Sequence, residues 1–247
     1  MIRDPAIVLR DVRMGHGERA VLDIPKLEIP ARMLTCIVGP SGVGKSTFLE
    51  GVGLMSDTFL PPLAGMRSMI RLGSAELDPM KLWAGDGVAL AKLRRSHCSF
   101  IFQNTNLMPN FTVEENIKMA QMAGGSETFD QRMTGLLGKV GLPVDVLGRS
   151  PQELSGGQRQ RVAFLRALAK DFTVLFADEP TGNLDQENAH ALFGLLRREV
   201  DQGTCTALVV THHRDLAAEF ADQVLEIRPG SDGEPACVQQ AVAFSIP

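Results

Sequence analysis

Residues 39–47 read GPSGVGKST, a full match to GxxxxGK[ST], directly after the apolar run TCIVG and directly before KSTFLEGVGLM, whose apolar spacing is helical. A strand, a glycine-rich loop and a helix start in that order leave few folds open. Successive backbone N–H groups of the loop then converge on the positive end of the helix, where an anion is held. Gly39, Ser41, Gly42 and Gly44 form such a loop, and Lys45 is placed to reach the β- and γ-phosphates of a nucleotide. Ser46 is placed to offer its hydroxyl to Mg²⁺, and Thr47 to bond a phosphate oxygen from the same helical turn.

The last third of the chain predicts the rest of that fold. It alternates GQRQRVAFLRALA (helix), TVLFAD (strand), QENAHALFGLLRREV (helix), CTALVVT (strand) and a short helix from near Arg214. Such alternation implies a mainly parallel sheet covered by helices, with ligands beyond the carboxyl ends of its strands. Upstream, AIVLRDV and AVLDIPKLEI predict a small β-rich lobe joined by a turn in MGHGER. Between Met55 and Gly87, Pro61, Pro62, Pro79 and several glycines break any long period. From Val113 to Val140 the spacing is helical around a Gly124-Gly125 break, which predicts a helical subdomain.

With 247 residues, 44% of them hydrophobic, the chain can bury a sizeable core, so disorder is excluded. A net charge of −4 supplies no broad basic field, and no nucleic-acid partner is expected. No apolar run approaches the roughly 18 residues of a spanning helix, and MIRDPAIVLRD lacks the apolar core of a secretory signal. The expected location is cytoplasmic. Cys36, Cys98, Cys205 and Cys237 form no CxxC pair and read as small buried thiols.

TVLFADEP ends an apolar run in two carboxylates where a central strand emerges beside the phosphate loop. Asp178 is placed to hold Mg²⁺ and Glu179 to act as base on a water in line with the γ-phosphate. LSGGQ (154–158) precedes another helix; Ser155 is a natural N-cap, and Gly156-Gly157 expose N–H groups at a second positive helix end. The chain's own phosphate loop already envelops one triphosphate. Two chains packed head to tail would give the second helix end its ligand.

GPSGVGKST, Gln103, LSGGQ, VLFADEP, GNLD and His212 of VVTH occur in the order found in ABC ATPases, and the chain resembles that family along essentially its whole length. The resemblance implies an α/β P-loop NTPase core with an N-terminal antiparallel β lobe and an inserted α-helical subdomain. Residues 1–247 form a single ABC ATPase domain, with lobes at 1–33 (β-rich), 34–103 and 151–247 (catalytic core) and 104–150 (helical). It further implies ATP and Mg²⁺, each ATP lying between one phosphate loop and Ser155, Gly157 and Gln158 of a second ATPase subunit, either another copy or a paired homologue. Gln103 becomes a metal-side residue linking nucleotide state to a transmembrane permease subunit, and His212, with His213 as competitor, contacts the γ-phosphate. Asp185 of GNLD resembles the loop that communicates across the dimer.

LRRSHCSFIFQNTNLMPNFTVEENI and EPTGNLD look like the lipoprotein-release, macrolide-efflux and cell-division group. Its members sit peripherally on the inner face of the membrane through partners with long stalk helices. The alternative is a soluble ABC-type ATPase without a membrane partner. Two departures stand out. The chain has no tyrosine to cover the adenine, which leaves Met14 or His16 and predicts looser purine selectivity. The stretch from Thr47 to Gln103 is about a dozen residues longer than usual, which suggests a surface excursion carrying the lone Trp83.

Overall fold

A computed structural model of the chain describes residues 5–85, 87–124, 135–138, 140–182, 184–203, 205–231 and 234–240. Among these residues, eleven strands form one sheet in the order β6-β5-β1-β2-β11-β10-β3-β9-β8-β7, with β4 also paired to β1. The first part, β1 (Pro5–His16), β2 (Arg19–Pro30), β4 (Phe59–Leu60), β5 (Met69–Leu72) and β6 (Ala75–Leu77), is antiparallel. The second, β3 (Leu34–Val38), β7 (Cys98–Ile101), β8 (Val174–Asp178), β9 (Thr206–Val210) and β10 (Gln223–Arg228), is parallel. The last strand, β11 (Ala236–Gln240), joins the two parts, running antiparallel to β10 and parallel to β2.

The apolar runs LTCIV and TALVV are buried at every position, as expected of parallel strands covered on both faces. Their side chains alternate between two cores. Leu34, Cys36, Val38, Leu175, Ala177, Ala207 and Val209 face one core, shared with α5 (Gly156–Leu168) and α6 (Gln186–Asp201). Ile37, Val174, Phe176, Leu208 and Val210 face the other, shared with α1 (Lys45–Val52) and the antiparallel strands. Further helices include α2 (Pro79–Ala84), α3 (Gly87–His97), α4 (Val113–Gly124) and α7 (Arg214–Phe220), and short 3₁₀ turns at Val144–Gly148 and Pro151–Glu153 lead into α5.

Two expectations need correction. Residues 55–87 are no loose excursion within the catalytic core: they carry β4, β5 and β6, and β4 and β5 pair with β1 well beyond residue 33. Trp83 is half-buried against the core that the antiparallel strands share, the locally packed position favoured for a lone tryptophan. The turn expected across MGHGER is shorter, because β1 runs on through His16. The helical spacing read across 113–140 falls partly outside the described residues, at 125–134 and 139; its first part is α4.

Asn116 fixes the approach to α4. Buried at 3% exposure, it accepts from Met108 N at 2.7 Å and donates to the carbonyls of Met108, Phe111 and Thr112 at 3.1, 3.3 and 2.9 Å. Thr112 and Glu115 close the helix start reciprocally, Thr112 N donating to Glu115 Oε2 and Glu115 N to Thr112 Oγ1.

Candidate nucleotide site

The site is a product of strand register. In the parallel part Ile37 of β3 lies opposite Val210 of β9, and Val210 lies opposite Asp178 of β8. Three strands therefore end level at one edge of the sheet, and the residues just beyond them are the loop 39–44, Thr211-His212 and Glu179. Two hydrogen bonds extend the alignment past the strands: Thr211 N donates to Ile37 O at 3.1 Å and Glu179 N to Val210 O at 3.0 Å.

The loop before α1 needs its glycines for stated reasons. At Gly44, with φ 108°, a Cβ would also stand 2.7 Å from Val21 Cγ1; at Gly39 it would stand 2.6 Å from Ile227 O. Lys45 folds back along the loop, its Nζ donating to the carbonyls of Gly39 and Pro40 at 2.9 Å each. Ser46 Oγ donates to Asp178 Oδ2 at 3.2 Å across the mouth of the sheet. Burial pushes the Asp178 carboxyl above its ordinary pKa; the Ser46 hydrogen bond opposes that shift and the nearby carboxylates of Glu179 and Glu50 add to it.

A hydroxyl and a partly buried carboxylate brought together form a hard-oxygen pair that fits Mg²⁺, whose charge would relieve the desolvated carboxylate. Among the described residues no group of three or more His, Cys, Asp or Glu could hold an ion alone. An ion held by this pair would need further oxygen ligands from water or a bound phosphate, as Mg²⁺ commonly takes them.

Glu179 has φ 46°, a left-handed conformation that a residue with a side chain adopts only when its surroundings impose it. Its N–H is tied to Val210 and its carbonyl accepts from Gly182 N at 3.1 Å. The resulting turn aims the carboxylate at β9, where Glu179 Oε2 meets His212 Nδ1 at 2.5 Å. The His213 ring lies against His212, tilted by 37° with centroids 4.1 Å apart, and burial together with that neighbouring imidazole lowers its pKa. Of the two histidines, His212 is the one bonded to Glu179.

Gln103, two residues past the end of β7, lies against the same turn: a Cβ on Gly182 would stand 3.3 Å from Gln103 Nε2 and 3.5 Å from Glu179 O. Beyond the turn, Leu184 packs over the start of α5, its Cδ2 3.6 Å from where a Gly157 Cβ would be. Asp185 caps α6 through Asn188 N at 2.8 Å, and the hydrogen bonds from Asn188 hold its carboxyl below the ordinary range.

Ser155 and Gln158 form a capping box: Gln158 N donates to Ser155 Oγ at 3.2 Å and Ser155 N to Gln158 Oε1 at 2.9 Å. Ser155 is exposed, so the first turn of α5 presents its N–H groups to solvent.

Of the two residues considered for covering a base, Met14 is ruled out, being fully buried among the core side chains at 0% exposure. The reason is a register shift between Met14 and Gly15, after which His16 is exposed. His16 Nε2 sits 3.2 Å from Thr47 Oγ1, at the edge of a cavity of about 890 Å³ that continues from Pro40–Val43 of the phosphate loop. The far wall, made of Pro229, Gly230 and Glu234–Ala236 between β10 and β11, was missed in the sequence; it has no motif and lies nearly the whole chain away from the β1–β2 hairpin opposite.

A family model described as ABC transporter matches residues 22–182. The lipoprotein-releasing system ATP-binding protein LolD of Novosphingobium aromaticivorans is 35% identical over 92% of this chain and 98% of its own length. LolD of Paramagnetospirillum magneticum is 38% identical over 90% and 93%. The macrolide export ATP-binding/permease protein MacB of Burkholderia thailandensis is 37% identical over 90% of this chain, which spans 32% of that longer protein. Among solved structures, the dimeric post-hydrolysis state of the ATP-binding cassette MJ0796 bound to ADP and Pi has a TM-score of 0.76 at 27% identity, covering 96% of this chain and 100% of that one. A second dimeric structure of MJ0796, a bacterial ABC transporter cassette, also gives 0.76, at 29% identity and the same coverage. Phosphate loop, paired strand-end carboxylates and capped LSGGQ helix thus stand in a chain that belongs to the ABC transporter ATP-binding family and is an ABC-type ATPase.

Proposed function

We propose that the chain hydrolyses ATP within a head-to-tail pair of ATPase subunits and drives a separate transmembrane subunit, in a system of the lipoprotein-releasing or macrolide-exporting type. The observation that carries this reading is the division of the anion sites: one lies at the phosphate loop, and the other, at Ser155–Gln158, ends a different helix and presents its N–H groups outward. A partner copy laid across the sheet edge would supply each with its missing half. The dimeric cassettes matched above support that arrangement.

In this scheme Gly39, Ser41, Gly42, Gly44, Lys45 and Thr47 hold the phosphates, and Ser46, Asp178 and Gln103 face the metal side. Mg²⁺, when bound, supplies positive charge to the β- and γ-phosphate oxygens. Glu179 takes the proton of the attacking water as that water adds to the γ-phosphorus and the bond to the β-γ bridging oxygen breaks, leaving ADP and phosphate. With a proton on each ring nitrogen, His212 donates from Nδ1 to the Glu179 carboxylate and from Nε2 to a γ-phosphate oxygen. Ser155, Gly157 and Gln158 of the second subunit close over the same phosphate.

One surface feature supports a membrane partner. Beside the Gln103 loop, Met108, Phe111, Met119 and Met122 are exposed, and Asn116 ties the loop residues to α4, so an adaptable apolar surface adjoins the residue that reads the nucleotide. Such a subunit works peripherally on the inner membrane face. The test is to solubilise membranes from cells making Glu179→Gln and identify what co-purifies in ATP: an integral membrane protein is expected, and recovery of soluble companions alone would favour the soluble ATPase reading.

His16 is the side chain we assign to the base. An imidazole bonded to Thr47 offers a smaller stacking face than tyrosine, so adenine is distinguished weakly. GTP turnover is expected within about tenfold of ATP turnover, and His16→Tyr is expected to widen the gap. Strict ATP preference in the unaltered chain would sink this assignment.

A further inference from the structure

Arg166, in the last turn of α5, does something the motifs do not account for. Its guanidinium donates to Asn106 O at 2.5 Å through Nη1 and to Thr105 O at 2.9 Å through Nη2. Among the described residues it meets no carboxylate, yet burial is deep enough to lower its pKa. A cation desolvated at a helix end without a counter-charge is costly, and an apolar side chain would fill the space with less penalty. What an apolar side chain cannot do is hold two consecutive carbonyls in one planar fork.

The two carbonyls lie just past Gln103. Asn106 has φ 49°, a left-handed conformation that asparagine tolerates, so the chain turns sharply at the point where Arg166 grips it. Further on, Asn116 takes over the same segment through Met108, Phe111 and Thr112. The stretch after Gln103 is therefore fixed to α5 and α4, whereas Gln103 itself lies against the Glu179–Gly182 turn. Only Phe102 to Asn104 lies between the end of β7 and the first anchor.

We propose that Arg166 is a positioning residue for hydrolysis: by clasping the Thr105 and Asn106 carbonyls it fixes Gln103 at the catalytic turn and ties that position to the helix whose other end carries Ser155–Gln158. This rests on the reading of Gln103 as a working part of the site. The clasp makes nucleotide contact at one end of α5 and the placement of Gln103 at the other parts of one rigid element. Without it, the backbone between β7 and α4 gains freedom, and Gln103 spends less time beside Glu179.

The test uses the full chain with Arg166→Met, which keeps an apolar stem and removes the donors, Arg166→Lys, which keeps one donor group, and Gln103→Ala alongside. Arg166→Met is expected to lower kcat about tenfold with KM within about threefold, and Arg166→Lys to recover part of the loss. Amide exchange at 103–106 is expected to rise while the amides of α5 stay protected. If Gln103→Ala lowers kcat and Arg166→Met does not, the clasp is overturned and the role of Gln103 stands. If Gln103→Ala leaves kcat unchanged, the role of Gln103 falls and the clasp with it. If Arg166→Met loosens all of α5 and loses activity only in step with its melting temperature, Arg166 is a packing residue and the proposal fails.

Discussion

Glu179→Gln is expected to lower ATP turnover by about 10²–10⁴-fold, the span of a lost general base, while ATP still binds and holds two subunits together. The substitution is close to isosteric. Its amide oxygen can still accept from His212 Nδ1, the contact that measures 2.5 Å with the carboxylate, and the backbone keeps its bonds to Val210 and Gly182. What is lost is the capacity to take a proton from water. Turnover at saturating ATP and light scattering with and without ATP check the two halves of the expectation. A variant that stayed monomeric in ATP and hydrolysed at the ordinary rate would overturn both the base assignment and the closed pair.

The second large effect is a rescue. Lys45→Ala removes the cation proposed to reach the phosphates, and Ser155→Arg blocks the start of α5 and breaks its capping box, so each variant alone should be inactive. Mixed, they form a heterodimer in which one site combines the intact phosphate loop of the second variant with the intact LSGGQ helix of the first. Random pairing makes half the dimers mixed with one good site of two, and activity is expected to return to about a quarter of the unaltered level. A site built within a single chain would give no recovery at all, since every chain in the mixture carries one broken element. Measuring turnover against mixing ratio, with a maximum near equal amounts, distinguishes the two.

Much of this architecture was legible because the central strands are apolar at nearly every position. LTCIV, VLFA and TALVV could only be strands covered on both faces, and the motifs at their ends followed from that. The segment 55–87 was not legible for the opposite reason. β4 has two residues, β5 four and β6 three, too short for periodicity to show, and β4 and β5 exist because β1 offers them an edge far away in sequence. Met14 and His16 looked equivalent as covers for a base, since both stand near the same turn. One shift of register after Met14 separates them, sending Met14 into the core and leaving His16 exposed, and nothing in the residue types announces such a shift. The wall of Pro229, Gly230 and Glu234–Ala236 reaches the phosphate loop by topology alone.

The strand that closes the sheet has a mechanical consequence. Because β11 is bonded to β2 on one side and to β10 on the other, the antiparallel and parallel regions form one stiff plate, with no seam between the wall beside His16 and the loop that holds the phosphates. A load taken up by the nucleotide cannot be absorbed by shear across that plate without breaking backbone hydrogen bonds in series. α5 packs on the parallel strands through their shared core, and Ser99 Oγ of β7 donates to Ala167 O at 2.6 Å, so the helix that starts at Ser155 is fastened to the same plate as the phosphate loop.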